Sequence, residues 1–158
     1  PFFDWLMPAI SKAGQGGLLW VGLGLVLIVI GRPDTKKAAL LMLTALVAGY
    51  LAGDEVLKQI IQRPRPFETI AGVNLLVAPP GSYSFPSGHA TAAFASSLVL
   101  ARKIPALFLP VLILACVMAF SRVYVGVHYP LDVLAGSILG ATCAALTLKL
   151  ETIMSRRQ

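Results

Sequence analysis

Hydrophobic residues in this chain run in long blocks rather than in alternation. Five blocks stand out, at Gly14–Ile30, Thr35–Leu57, Ser87–Ala101, Pro105–Phe120 and Pro130–Leu150. A helix that crosses a bilayer needs about 20 apolar residues, within a range of about 17–25. The second and fifth blocks have that length. The third and fourth are shorter, and are expected to begin in the headgroup region or to pack inside a bundle. Small residues recur, as in Ala90-Thr91-Ala92-Ala93-Phe94-Ala95-Ser96-Ser97, and allow close contact between helices. The period-2 pattern of a transmembrane barrel is absent. Ahead of the first block, Pro1–Lys12 puts Asp4, Pro8, Ser11 and Lys12 on one helical face and apolar residues on the rest. It is too short to span. It reads as an interfacial helix in the headgroup plane, or as the end of a longer element. The pattern predicts an all-α integral membrane helix bundle with an N-terminal interfacial helix, in one domain over residues 1–158.

Composition agrees with the pattern. Of 158 residues, 57% are hydrophobic and 13% charged, where soluble domains carry about a quarter charged residues. Mean hydropathy is +0.80. Seven acidic and thirteen basic residues cannot cover a soluble globule, and disorder requires far lower hydrophobicity. The net charge of +6 does not mark a nucleic-acid partner, because the basic residues form short clusters rather than the stripe a polyanion needs. Cys116 and Cys143 lie inside apolar blocks and read as small buried hydrophobes.

Lysine and arginine placement sets the orientation. With alternate loops on alternate sides, Arg32, Lys36, Lys37, Arg102, Lys103, Lys149, Arg156 and Arg157 share one side. Lys12, Lys58, Arg63, Arg65 and Arg122 share the other. The richer side belongs in the cytoplasm with the C-terminus. The long, proline-rich connection Lys58–Pro86 then faces outward, to the periplasm or cell exterior, and loops of that length beside a bundle are commonly functional.

Three clusters fall at the outward ends of the predicted helices. They are Lys58 through Arg63-Pro64-Arg65-Pro66, then Pro86-Ser87-Gly88-His89, then Ser121-Arg122 through His128 and Asp132. Lys58, Arg65 and Arg122 are cations beside a low-dielectric bundle, which is costly without an anion. Near them the acidic candidates are Asp54, Glu55, Glu68 and Asp132. A phosphate would satisfy the cations, since arginine forks and a lysine point charge both suit its oxygens. Ser87 and Gly88 open a helix, whose free N–H groups also attract an anion. His128 stands just before Pro130, a favourable first helical residue, with Asp132 in the first turn. That carboxylate can hold one imidazole nitrogen and leave the other as a nucleophile or base. His89, beside the anion cradle, is a natural proton donor. Arg63 is left between a contact to headgroups and one to a second phosphate. No Walker loop, HExxH or carboxylate-rich metal cluster is present, so phosphoryl transfer without metal or other cofactor is expected.

These clusters resemble the signature of the type 2 phosphatidic acid phosphatase (PAP2), or lipid phosphate phosphatase, superfamily. The family pattern is lysine, six residues, Arg-Pro; then Pro-Ser-Gly-His; then Ser-Arg, five residues, histidine, three residues, aspartate. All three occur here in order, over Lys58–Asp132. The resemblance implies that His128 attacks phosphorus to form a phosphohistidine and that Asp132 orients it. It implies that His89 protonates the leaving oxygen and then activates water. Lys58, Arg65, Ser87, Gly88 and Arg122 would hold the phosphoryl oxygens. Membrane members commonly have six spans; a helix upstream of Pro1 would supply the sixth, so five to six are expected. Soluble haloperoxidase relatives share the motifs but need vanadate and a polar surface, which this composition disfavours. The expected substrate is a lipid phosphate or diphosphate within the surrounding membrane lipids, with undecaprenyl diphosphate favoured. Phosphatidylglycerol phosphate, a lipid A phosphate and transfer to another lipid are the alternatives.

Overall fold

The computed structural model describes residues 1–157, and all their regular structure is helical. Helix α1 (Phe2–Ala13) leads through a short 3-10 turn into α2 (Leu18–Ile30). The predicted first span therefore starts at Leu18 rather than Gly14. Gly16 and Gly17 adopt φ of 59° and 73°, in the left-handed region open to glycine. They turn the chain by 49° between α1 and the segment that follows. Of the residues assigned above to the polar face of α1, Ser11 is buried, together with Met7.

Helix α3 (Pro33–Tyr50) begins with proline at its first turn, where the missing N–H costs nothing. It runs into a π-helical stretch, Leu51–Leu57, and then α4 (Lys58–Ile61). Gln62, at φ 47°, ends this element. Arg65 is extended, as expected of a residue before proline, and α5 (Pro66–Thr69) follows it. After the loop come α6 (Gly88–Lys103), α7 (Phe108–Tyr124) and α8 (Pro130–Ser155).

At the centre of the bundle, α6 packs against α3, α7 and α8. Its inward positions are small: Ala90, Thr91, Ala93, Ala95, Ser96 and Ser97 are all buried. Gly136 and Gly140 of α8 meet it backbone to backbone. A Cβ at these positions would lie 2.5 Å from the Ser87 carbonyl oxygen and 2.4 Å from that of Thr91. Close approach by small residues substitutes for the hydrophobic drive that lipid does not supply.

Among the described residues, three helical segments are long and apolar enough to cross a membrane: Pro33–Thr69, Pro105–Tyr124 and Pro130–Ser155. The bent pair Phe2–Ala13 with Gln15–Ile30 would make a fourth. This is fewer than the five to six expected. α2 lost its first turn to the glycine bend, and α6, at 16 residues, extends about 24 Å against a hydrocarbon core of about 30 Å. Cys143 is buried as expected, whereas Cys116 is exposed on the outside of the bundle.

Chain direction alternates, so the ends separate as the loop charges imply. Lys37 near the start of α3, Lys103 at the end of α6 and Glu151 near the end of α8 meet at one end, where Glu151 accepts from the two lysines at 2.6 and 2.9 Å. The signature clusters gather at the other.

Candidate active site

A cavity of about 440 Å3 opens at that other end. Lys58, Arg65, Gly88, His89, Arg122 and His128 line it, so residues spread over Lys58–His128 of the sequence share one space. Ser87 and Asp132 are fully buried behind its wall. Val21, Leu46, Val47 and Ala92 give the cavity an apolar flank.

His128 sits in the turn between α7 and α8. Its Nδ1 faces Asp132 Oδ2 at 3.6 Å, and its Nε2 lies 3.4 Å from Arg65 Nη1. A carboxylate accepts and never donates when ionised, which favours the proton on Nδ1 and the lone pair on Nε2. Burial and the neighbouring guanidinium groups push the His128 imidazolium down to about pKa 4, partly offset by Asp132. The ring is thus neutral, and nucleophilic, at ordinary pH.

Asp132 is held on every side. Its Oδ1 accepts from Arg63 Nη1 at 2.7 Å. Its Oδ2 accepts from the Ser84 hydroxyl at 2.5 Å and from the Tyr129 backbone N–H at 3.0 Å. Arg63 also stacks on the Tyr129 ring, 3.9 Å from its centroid. Arg63 thus reaches the carboxylate behind His128, a contact that neither the headgroup nor the second-phosphate expectation included. The two arginines of Arg-Pro-Arg-Pro serve opposite sides of one histidine.

The expected phosphate fork of Arg65 is spent differently. Its Nε donates to the Ser82 carbonyl at 2.7 Å and its Nη1 to the Val127 carbonyl at 2.8 Å. Its Nη2 donates to the Ser82 hydroxyl and the Tyr83 carbonyl, both at 3.2 Å. With the His128 contact, all five N–H donors have acceptors. Arg65 anchors the loop over the site and borders His128, but has no donor pair left for bidentate binding. Arg122 contrasts with it. Its Nη1 donates to the Ser11 hydroxyl, while its Nε is buried with no partner. An orphaned buried donor on a cavity wall suits an anion.

Lys58 pairs with Asp54, one helical turn earlier, so an acid not singled out for that role answers this cation. Asp54 also fills the space beside Gly88, where a Cβ would come within 2.7 Å of its Oδ2. Gly88 thus admits the carboxylate as well as opening the cavity. Ser87 caps α6 without a side-chain hydrogen bond, its hydroxyl buried and unpartnered. Its backbone N–H donates to the Asp132 carbonyl at 3.0 Å, and so ties the two motif helices together. His89 Nε2 lies 3.0 Å from the Ser11 carbonyl of α1. Neither Ser11 nor Asp54 belongs to the three signatures; the signal for Asp54 was its position one turn before Lys58, and for Ser11 there was none. Among the described residues no cluster of three or more His, Cys, Asp or Glu side chains could hold a metal ion.

Residues 37–153 match the family model described as PAP2 superfamily. The chain belongs to that superfamily. An undecaprenyl-diphosphatase of Sulfolobus acidocaldarius is 34% identical to this PAP2 chain over 148 residues, which is 93% of the chain and 70% of the relative. A decaprenylphosphoryl-5-phosphoribose phosphatase of Mycobacterium tuberculosis is 38% identical over 138 residues, 87% of the chain and 74% of the relative. The crystal structure of Aquifex aeolicus LpxE superposes with a TM-score of 0.82 at 28% identity, covering 94% of the PAP2 chain and 87% of LpxE.

Proposed function

We propose that this lipid phosphate phosphatase of the PAP2 superfamily hydrolyses a polyprenyl-linked phosphate or diphosphate through a phosphohistidine on His128. The observation that carries the reading is the setting of His128. It has a carboxylate behind Nδ1 and a cationic cavity before Nε2. In the first step the Nε2 lone pair attacks phosphorus, the P–O bond to the lipid, or to the lipid monophosphate of a diphosphate, breaks, and His89 passes a proton taken from the incoming phosphate monoanion to the departing oxygen. Asp132 stays ionised and balances the charge that His128 acquires. Arg122, Lys58 and the free N–H groups at the start of α6 stabilise the equatorial oxygens, with Arg65 closing the wall beside the nucleophile. In the second step His89 takes a proton from water as its oxygen attacks phosphorus, the P–N bond breaks, and phosphate leaves.

Two named relatives act on polyprenyl-linked substrates, and the apolar flank of Val21, Leu46 and Val47 offers a lipid chain a path beside the cations. Undecaprenyl diphosphate remains the favoured member of this class. Phosphate release from a panel of prenyl and diacylglycerol phosphates in detergent tests the reading. Prenyl substrates should lead, with activity intact in EDTA and inhibited by vanadate. Preference for glycerolipids would overturn the substrate class, and restoration by magnesium after chelation would overturn the metal-free site.

The loop charges support an active site on the outer face of the inner membrane. Single cysteines at Ala71 and Lys36, in a chain lacking Cys116 and Cys143, test this with an impermeant thiol reagent on intact cells. Ala71→Cys should label and Lys36→Cys should not; the reverse would place the site in the cytoplasm.

A further inference from the structure

Helix α1 lies outside the signature motifs and outside residues 37–153 that define the family match, yet its last turn touches two of the site's side chains through one residue. Ser11 is 2% exposed. Its carbonyl oxygen is 3.0 Å from His89 Nε2 and its hydroxyl meets Arg122 Nη1. A carbonyl oxygen only accepts, so His89 Nε2 must carry the proton. The last carbonyls of a helix lack intrahelical partners and carry the negative end of its dipole. Ser11 is in that turn of α1, so its carbonyl is both available and suited to a ring that becomes positive. The Cδ2 edge of the same ring faces Gly14, where a Cβ would come within 3.0 Å. With the Nε2–Cδ2 edge against α1, Nδ1 is the nitrogen left for the cavity that His89 lines. Guanidinium groups donate and never accept, so the Ser11 hydroxyl receives an Arg122 proton, while the buried Nε of that arginine keeps no partner.

We propose that Ser11 is a positioning residue of the active site, its carbonyl fixing His89 in the Nε2–H tautomer and its hydroxyl aiming Arg122 at the phosphoryl group. The assignment rests on the proposed roles of His89 and Arg122. It makes Nδ1 the atom that first takes a proton from the incoming phosphate monoanion, then passes it to the leaving oxygen, and later receives one from water. It also gives the two histidines opposite tautomers, because the Asp132 carboxylate faces Nδ1 of His128 at 3.6 Å while the Ser11 carbonyl holds Nε2–H of His89.

The chain contains two histidines, so 15N-histidine labelling of the full protein in detergent reads both directly, with His128→Ala assigning the signals. One Nδ1–H and one Nε2–H ring are expected near neutral pH, the latter from His89. An Nδ1–H ring at His89 would overturn the tautomer assignment without any variant at Ser11. For the hydroxyl, Ser11→Ala should lower kcat about tenfold or more while KM stays within about twofold. Ser11→Thr should recover most of the loss. In an Arg122→Lys background, Ser11→Ala should cost little further, since the guanidinium it serves is gone. Additive losses in that cycle, or a loss that Thr does not recover and that follows a lower Tm, would reduce Ser11 to a packing residue. If Arg122→Lys and His89→Ala themselves leave turnover intact, the reading of the site fails, and the role of Ser11 with it.

Discussion

At the end of the bundle away from the cavity, Glu151 stands between Lys37 and Lys103 and answers both. At the cavity end the charges are arranged otherwise. Asp132 accepts from Arg63, Ser84 and Tyr129, Asp54 is taken by Lys58, and Arg122 is left with a buried donor that nothing in the protein accepts. Both ends bring lysine or arginine from several helices together. One end closes its own electrostatics and works as a clasp. The other leaves an anion-shaped deficit beside two histidines. Cationic residues alone therefore do not mark a phosphate site; what marks it is the partner the fold withholds.

The two histidines test the cavity end most severely. His128→Ala should abolish turnover on every substrate, because no covalent intermediate can form. His89→Ala should lose about 10²–10⁴-fold with a lipid alkoxide leaving group and much less in single turnover of an aryl phosphate. An acid-labile phosphoryl adduct should then accumulate on His128. Rapid-quench labelling with peptide mapping would show it, and an adduct on His89 would reverse the roles. The His128 ring should also stay neutral as pH falls until about 4. Its protonation is disfavoured in the fold relative to an exposed histidine near 6.5, so stability should fall, rather than rise, as pH drops from about 6.5 to 4.

The arginine behind Asp132 comes next. Arg63→Gln removes a charge from a buried carboxylate and should cut kcat about tenfold or more. Arg63→Lys should recover part of it, since lysine restores the charge but not the planar stack on Tyr129. Equal KM and kcat effects on all substrates, or none, would return Arg63 to the headgroup region.

The clasp should matter least. Glu151→Gln breaks two partly exposed ion pairs, and such pairs contribute about 0–1 kcal/mol each. Tm in detergent should fall by a few degrees at most, with kcat unchanged. A loss of turnover there would mean that the two ends are coupled and would blunt the contrast drawn above.

Much of this was legible in the chain. The apolar blocks placed α3 with its π-helical continuation, α6, α7 and α8 to within a few residues, and the three clusters named His89, Arg122, His128 and the lysine that line the cavity. The first block was read less well. Gly16 and Gly17 sit in an otherwise continuous apolar block, and hydropathy carries no record of φ. The acids were misjudged because pairing depends on rotamers and neighbours. Asp54 reaches Lys58 along one helix, an i to i+4 relation that could have been read. Arg63 reaches Asp132 across 69 residues, a relation no local pattern encodes. Arg65 looked like a free fork because the carbonyls that saturate it belong to a loop whose path only folding sets.

What the sequence determined alone is the chemistry on offer: a membrane bundle, its charge asymmetry, and two histidines, an aspartate and several cations in a fixed order. Those follow from composition, periodicity and spacing, which survive unfolding. What only tertiary structure decided is which of those groups remains available. Arg65 is consumed, Arg63 is turned to Asp132, Arg122 keeps a buried donor free, and Ser11, unremarkable in sequence, joins the site because the glycine bend after α1 sets its last turn against α6 and α7. Hydrogen-bond satisfaction is a property of neighbours in space, so only the fold could settle it.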